Sequence, residues 1–314
     1  QGQGPRRRGR RALGQEGRMP SLRDYRRRIR SVKNTQQITR AMKLVAAAKV
    51  RRAQERIEGL RPYSGKMEEL VNSLSLCVEG TPHPLLNDRS RDGNVLLLVV
   101  TSDKGLCGSY NAAVCRLALQ FMRRREEHGK KTEIVIVGRK GRAFFARRGF
   151  AFRREFTEVY GKINYPLAQE IARLLMHGFL GEGFDEVHVL TTEFFSILRH
   201  SPRLTRLLPV APPTPDAVDP HGEPVSSGVD YIYEPSVEGV LADILPRHVA
   251  VQVYRALLDA EASEFGSRMR AMDSASRNAA EMIRTLTLRM NRVRQASITK
   301  EILEVVGGAD ALKG

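Results

Sequence analysis

Between Val249 and Val306 the chain runs 58 residues without a proline and with a single glycine, Gly266. A continuous helix of that length would extend about 87 Å. Along it Leu258, Ala262, Phe265, Met269, Met272, Ser276, Ala279, Ile283, Leu286, Met290 and Val293 follow one another by alternating steps of four and three. Heptad spacing sustained in this way predicts a coiled coil. A second run, Ser21–Glu58, also lacks proline and glycine. Ser21 three residues before Asp24 reads as its start signal, and "GLRPYS" as its end. It offers Leu22, Tyr25, Ile29 and Val32, then Ile38, Met42, Val45 and Ala46, with the polar "KNTQQ" between. The simplest partner for one long helix is the other, packed antiparallel from the two ends of the chain. Dimerisation through either helix is the alternative.

The middle of the chain has a different texture. Apolar runs at Val95–Val100, Ile134–Val137 and Val187–Leu190 alternate with helical stretches at Ala112–Glu127 and Pro166–Phe179. That alternation predicts an open, parallel α/β sheet of the Rossmann-like kind. "PVAPPTPDAVDPHGEPVSSG" (Pro209–Gly228) then reads as a linker. The expected division is a disordered leader over 1–20, an N-terminal coiled-coil helix over 21–75 and an α/β domain over 76–211. A linker and foot over 212–235 and a C-terminal helix over 236–314 complete it.

Charge narrows the partners. The chain carries 52 Lys and Arg against 35 Asp and Glu, a net charge of +17. Residues 1–18 hold six Arg and one Glu, or +5, which leaves 17 − 5 = +12 on the body. A basic body fits a partner with an acidic surface. The first 18 residues are Arg-rich but lack serine, so Met19 is the working start. No apolar run approaches the ~20 residues of a membrane span. Cys77, Cys107 and Cys115 show neither CxxC nor zinc spacing, and a reducing compartment fits them.

"TSDKGLCGSYN" follows the first apolar run, at the strand edge where open α/β sheets bind ligands. It lacks GxxxxGK[ST], and it lacks the GxGxxG pattern with its later acidic residue. Cys107 has no local base to activate it, a histidine brought near by the fold being the alternative. The turn therefore reads as a joint, with Gly105 and Gly108 permitting a tight bend. Arg26, Arg27, Arg28 and Arg30 cluster on the first helix, but aromatics make up 6% of the chain and no nucleic-acid module is present. The Ala-rich face of "AMKLVAAAKVRRAQ" is too narrow for lipid insertion and suits close approach of protein.

Three stretches, "SVKNTQQITRAMKLVAAAKVRRAQ", "SDKGLCGSYN" and "MNRVRQASITKEILEVVGGADAL", resemble the signature segments of the gamma subunit of F-type ATP synthase. The resemblance covers Met19 to Leu312. It implies a central rotor shaft, itself no enzyme and without cofactor or metal, inside a hexamer of alpha and beta subunits. It further implies an epsilon subunit and a c-subunit membrane ring as partners, no nucleic acid, and proton flow coupled to ATP synthesis through rotation. By position, Met42 matches the methionine facing an acidic loop of beta, and Arg268 a basic residue of the same coupling region. Arg294, Gln295, Thr299, Glu301 and Glu304 match a polar set near the top of the shaft. Tyr231 and Glu234 match the foot on the membrane ring. Ser109 departs from the second glycine common at that place in the family. The absence of cysteine from Pro209 to Tyr231 implies no thiol regulation. Peripheral attachment at the cytoplasmic face of a bacterial plasma membrane is expected ahead of the mitochondrial matrix side. The rival reading is a free-standing coiled-coil scaffold with an α/β ligand-binding domain.

Overall fold

A computed structural model describes residues 21–77, 83–88, 93–210, 234 and 236–311. The proposed leader, most of the linker and Tyr231 lie outside the described residues. The order is α1 (Leu22–Cys77), β1 (Val95–Val100), α2 (Tyr110–Glu127), β2 (Thr132–Val137), α3 (Arg139–Ala146) and β3 (Phe152–Phe156). Then come α4 (Tyr165–Gly181), β4 (Glu186–Phe194), β5 (His200–Leu208) and α5 (Val237–Ala311). Two compact units result: one joins the residues up to Ala41 with those from Asp273 onward, and the other spans Met42–Met272.

In the Met42–Met272 unit the five strands lie in the order β3-β2-β1-β4-β5. β1 pairs parallel with β2 and β4, β2 parallel with β3, and β5 closes one edge antiparallel to β4. The all-parallel expectation fails at that edge, because β4 and β5 form a hairpin. β3 and β5 are also additions to the expected strands. β1, with the sequence VLLLVV, is buried throughout and its residues alternate between two cores. Leu97 and Val99 meet Val114, Ala118 and Phe145 of α2 and α3. Leu96, Leu98 and Val100 face Ile171 and Leu175 of α4 together with Ala53 of α1 and Leu245 and Val249 of α5. α4 starts where Asn164 accepts a hydrogen bond from the Leu167 amide at 3.0 Å, and Pro166 occupies its first turn.

The two long helices form the antiparallel coiled coil. In this unit Lys49 lies 5.0 Å from the centre of the Phe265 ring, and Arg56 bonds Glu261 at 3.0 Å. As one helix ascends the other descends. Ala46, Val50, Ala53 and Ile57 are buried at steps of four and three, opposite Leu258, Ala262 and Phe265. In the other unit Tyr25 is buried on α1, and Ser276 and Ala279 on α5, with Gln36 Nε2 donating to the Ser276 carbonyl at 3.4 Å. Ser21 and Asp24 exchange backbone-to-side-chain bonds of 3.2 Å each way, the reciprocal cap that starts α1.

Two expectations for α1 are corrected. Ile38 and Val45 do not enter the seam; they are 60% and 58% exposed. Heptad steps from Val32 land on Gln36 and Thr39 instead, and Thr39 Oγ1 satisfies itself on the Gln36 carbonyl at 3.0 Å. Keeping register outweighs one apolar layer when the polar groups find partners. The helix also does not end at "GLRPYS" but continues through Pro62 to Cys77. The proline deprives the Glu58 carbonyl of its donor on an exposed face, where water can replace it. Beyond it Met67, Val71 and Leu74 are buried and hold the helix to the domain.

Candidate functional site

In the order β3-β2-β1-β4-β5, succession runs outward from β1 on one side and resumes with β4 on the other. The crevice beyond the carboxyl ends of β1 and β4 is the place where such sheets hold nucleotides. Here it holds the chain's own helix α5. Ser263 Oγ donates to the Thr192 carbonyl at 3.1 Å, and Thr191 Oγ1 donates to the Ala256 carbonyl at 3.0 Å. From the β1 side Tyr110 donates its hydroxyl to the Ala260 carbonyl at 3.1 Å, and Tyr160 reaches the same hydroxyl at 3.2 Å. Burial pushes both phenols above their usual range.

Two carboxylates fix the seat. Glu261 accepts from the Gly161 amide at 2.8 Å and from Arg56 at 3.0 Å. Glu264, 1% exposed, takes both terminal nitrogens of Arg268, one at 2.9 Å. Arg268 also donates to the Gly105 carbonyl at 3.1 Å, so the helix clasps the "GLCG" turn directly. Burial pushes the Glu264 carboxyl up to about 7, and the Arg268 guanidinium opposes that rise. Asp103, next to the turn, accepts from the amides of Arg139, Glu158 and Tyr160 at 3.1, 2.9 and 3.2 Å, binding β1 to the loops after β2 and β3. Close packing continues at Gly138, where φ is +94° and a Cβ would lie 2.0 Å from the Thr101 carbonyl oxygen.

This arrangement offers cysteine no chemistry. Cys107 is 2% exposed, and its Sγ receives the Asn111 side-chain amide at 3.2 Å. Burial, with Glu264 nearby, raises its thiol. Its hydrogen-bonding neighbours among the described residues are the Ser102 hydroxyl, the Lys104 backbone carbonyl and the Asn111 amide, none of which can take its proton as a base.

The residues singled out in the sequence fall into separate places. Met42 is half-buried on α1. The Arg268 side chain is 12% exposed and committed to Glu264 and Gly105. Arg294, Gln295, Thr299, Glu301 and Glu304 are all exposed on α5. Among them Thr299 Oγ1 donates to the Gln295 carbonyl at 3.0 Å, Ser297 bonds Glu301 at 3.2 Å, and Lys300 lies 3.5 Å from Glu304. Interleaved with that polar set, Ile298, Ile302, Leu303, Val305 and Val306 are 47–73% exposed. Glu234 is exposed. Sequence reasoning missed Glu261, Glu264, Tyr110 and Asp103. The available signal was two carboxylates, each one position before a seam residue, Ala262 and Phe265.

Comparison with known proteins extends the picture. A family described as ATP synthase matches residues 21–312. The ATP synthase gamma chain of Moorella thermoacetica is 48% identical over 297 residues, covering 94% of this chain and all of the relative. That of Desulforamulus reducens is 46% identical over 295 residues with the same coverage. Among solved structures, a chain of the Tetrahymena thermophila mitochondrial ATP synthase central stalk and c-ring matches with a TM-score of 0.55 and 25% identity. It covers 76% of this chain and 99% of that one. A chain of the Euglena gracilis mitochondrial enzyme shares the fold with a TM-score of 0.63 at 19% identity, covering 93% and 94%.

Proposed function

Because this chain belongs to the ATP synthase gamma-chain family, we propose that it works by mechanics alone, as the rotor of the central stalk. It joins the alpha and beta subunits, the epsilon subunit and the c-ring. Its angular position sets which conformation each beta subunit favours, because a rotor that binds the conformations unequally shifts their populations. The observation that carries the non-catalytic reading is the crevice, where α5 occupies the ligand position of the sheet through Ser263, Glu264 and Arg268.

Met42 and the polar set Arg294, Gln295, Thr299, Glu301 and Glu304 are the surfaces offered to the hexamer. The exposure of all five polar residues supports that role. Arg268 acts there indirectly, by holding the Gly105 turn. Tyr231 and Glu234 form the contact with the ring. The complex sits with this subunit on the cytoplasmic side of a bacterial plasma membrane; none of the described helices is long and apolar enough to cross one. The test is reconstitution of the purified chain with alpha and beta subunits. The chain alone hydrolyses no ATP, whereas the assembled complex does and rotates. Turnover by the chain alone that is lost in Cys107→Ala would overturn the proposal.

A further inference from the structure

A cleft of about 400 Å³ lies in the Met42–Met272 unit, between the β4–β5 hairpin, α1 and α5. It adjoins the crevice, with Thr191 and Ala256 common to both, and rotor mechanics gives it no task. Its roof is one face of α5, carrying His248, Gln252, Arg255 and Asp259, and its floor includes Thr191 and Thr205. Two of these groups are buried without partners. His248 is 8% exposed and its Nδ1 has no hydrogen bond. Asp259 is also 8% exposed, and no hydrogen bond or ion pair reaches its carboxylate among the described residues. Buried charges are ordinarily paired.

The other charges around the cleft sort themselves. Arg203 is engaged by Glu193 at 2.8 Å, and Arg206 lies 3.6 Å from Asp88. Arg255 and Glu68 are exposed at the rim. Arg61 and Arg255 act on Asp259 only at a distance, and Glu193 acts against them. The buried interior is therefore left with unmet acceptors: a carboxylate at one end and, 11 positions back along α5 or about 16 Å, an imidazole that burial keeps neutral.

We infer that this cleft binds an elongated alkylammonium ligand, with one ammonium on Asp259 and an amine N–H directed to His248. Linear polyamines carry that chemistry, whereas a lysine side chain, with its single amine, can meet only the Asp259 end. Hydroxyls of Thr191 and Thr205 and the Gln252 amide can take further N–H groups between the ends. The size suits such a molecule, since small-ligand sites begin near 300 Å³. The strong positive charge of the whole chain works against indiscriminate uptake of cations, so saturable binding would report the site itself.

The test is calorimetric titration of the full-length chain with spermidine at about 150 mM salt, where diffuse electrostatics is screened. A lysine-containing peptide is titrated in parallel. Saturable one-site binding of spermidine, tighter than that of the peptide, weakened about tenfold or more in Asp259→Asn and reduced in His248→Phe, carries the proposal. Affinity should also fall as the pH drops below about 7, where Asp259 takes up its proton. Glu68→Gln, at the rim, should change little. Absence of saturable heat with spermidine, a peptide that binds as tightly, or binding indifferent to Asp259→Asn in a variant that melts cooperatively, overturns it.

Discussion

Glu264 is 1% exposed, and the two-point grip of Arg268 opposes the rise that burial imposes on its carboxyl. Removing one partner of such a pair strands the other, whereas removing both can be nearly neutral. Arg268→Ala should therefore cost about 3–5 kcal/mol in denaturant melts, and the double change Arg268→Met with Glu264→Leu should recover most of it. A double variant as unstable as the single would show that the Gly105 carbonyl, not Glu264, is the main partner. Asp259 is raised by burial in the same way but has no such grip. Burial pushes its carboxyl from 3.8 up to about 7, so the folded state resists its ionisation. A raised acid gives stability at low pH that is lost as pH climbs through the folded value. Asp259→Asn should thus stabilise the free chain by roughly 1–4 kcal/mol at pH 8 and hardly at all at pH 4. His200 has the reverse sign. Burial and Arg270 hold its imidazole below 6.5, while its Nε2 lies 2.6 Å from Arg270 and 2.7 Å from Ser267. The stability it contributes is complete above pH 6.5 and is lost as pH falls from there through the folded value. A His200→Gln variant should show a shallower loss in that window. An unchanged slope would exclude the hairpin contact as its cause.

α1 tests how far a helix can be carried by its packing. Pro62 lies inside it, and the turns beyond persist because Met67, Val71 and Leu74 are buried. Pro62→Ala restores a donor to the Glu58 carbonyl and should raise stability by about 1–3 kcal/mol. A loss of stability instead would mean that the domain needs the bend. The same element shows what the sequence made legible. The heptad steps, the Ser21–Asp24 cap and the uniformly apolar β1 each carry a local periodicity, and each formed where it was read. β3 and β5 carry none that stands out. "FRREF" and "HSPRLTRLL" are polar because both are edge strands with a face or a margin in water. Ile38 and Val45 misled for a related reason: apolarity marks any surface that will meet protein, and only the unbroken three-four stepping distinguishes the seam within the chain. The "GLCG" turn was legible as a joint. What it joins was not, because Gly105 and Arg268 lie 163 positions apart and no local pattern records a contact of that separation.

At the scale of the molecule the chain is incomplete by itself. Over 298–308 every residue of α5 is exposed, including Ile302, Leu303 and Val305 at 56%, 65% and 73%. No buried face anchors them among the described residues, and isolated helices shorter than about 12–15 residues are marginal in water. Contiguous apolar exposure of this kind marks a surface that another protein covers. The two states of the protein should then differ sharply in one observable. In the free chain the backbone amides of 298–311 should exchange hydrogen within seconds, close to the unstructured rate, while β1 amides are protected by global stability. On assembly with the alpha and beta subunits the same helical amides should slow by about a hundredfold or more, and β1 should change little. The measurement is hydrogen exchange followed by mass spectrometry on both samples. If assembly protects the Met42–Met272 unit and leaves 298–311 exchanging freely, the polar set Arg294–Glu304 is not the surface that the hexamer holds.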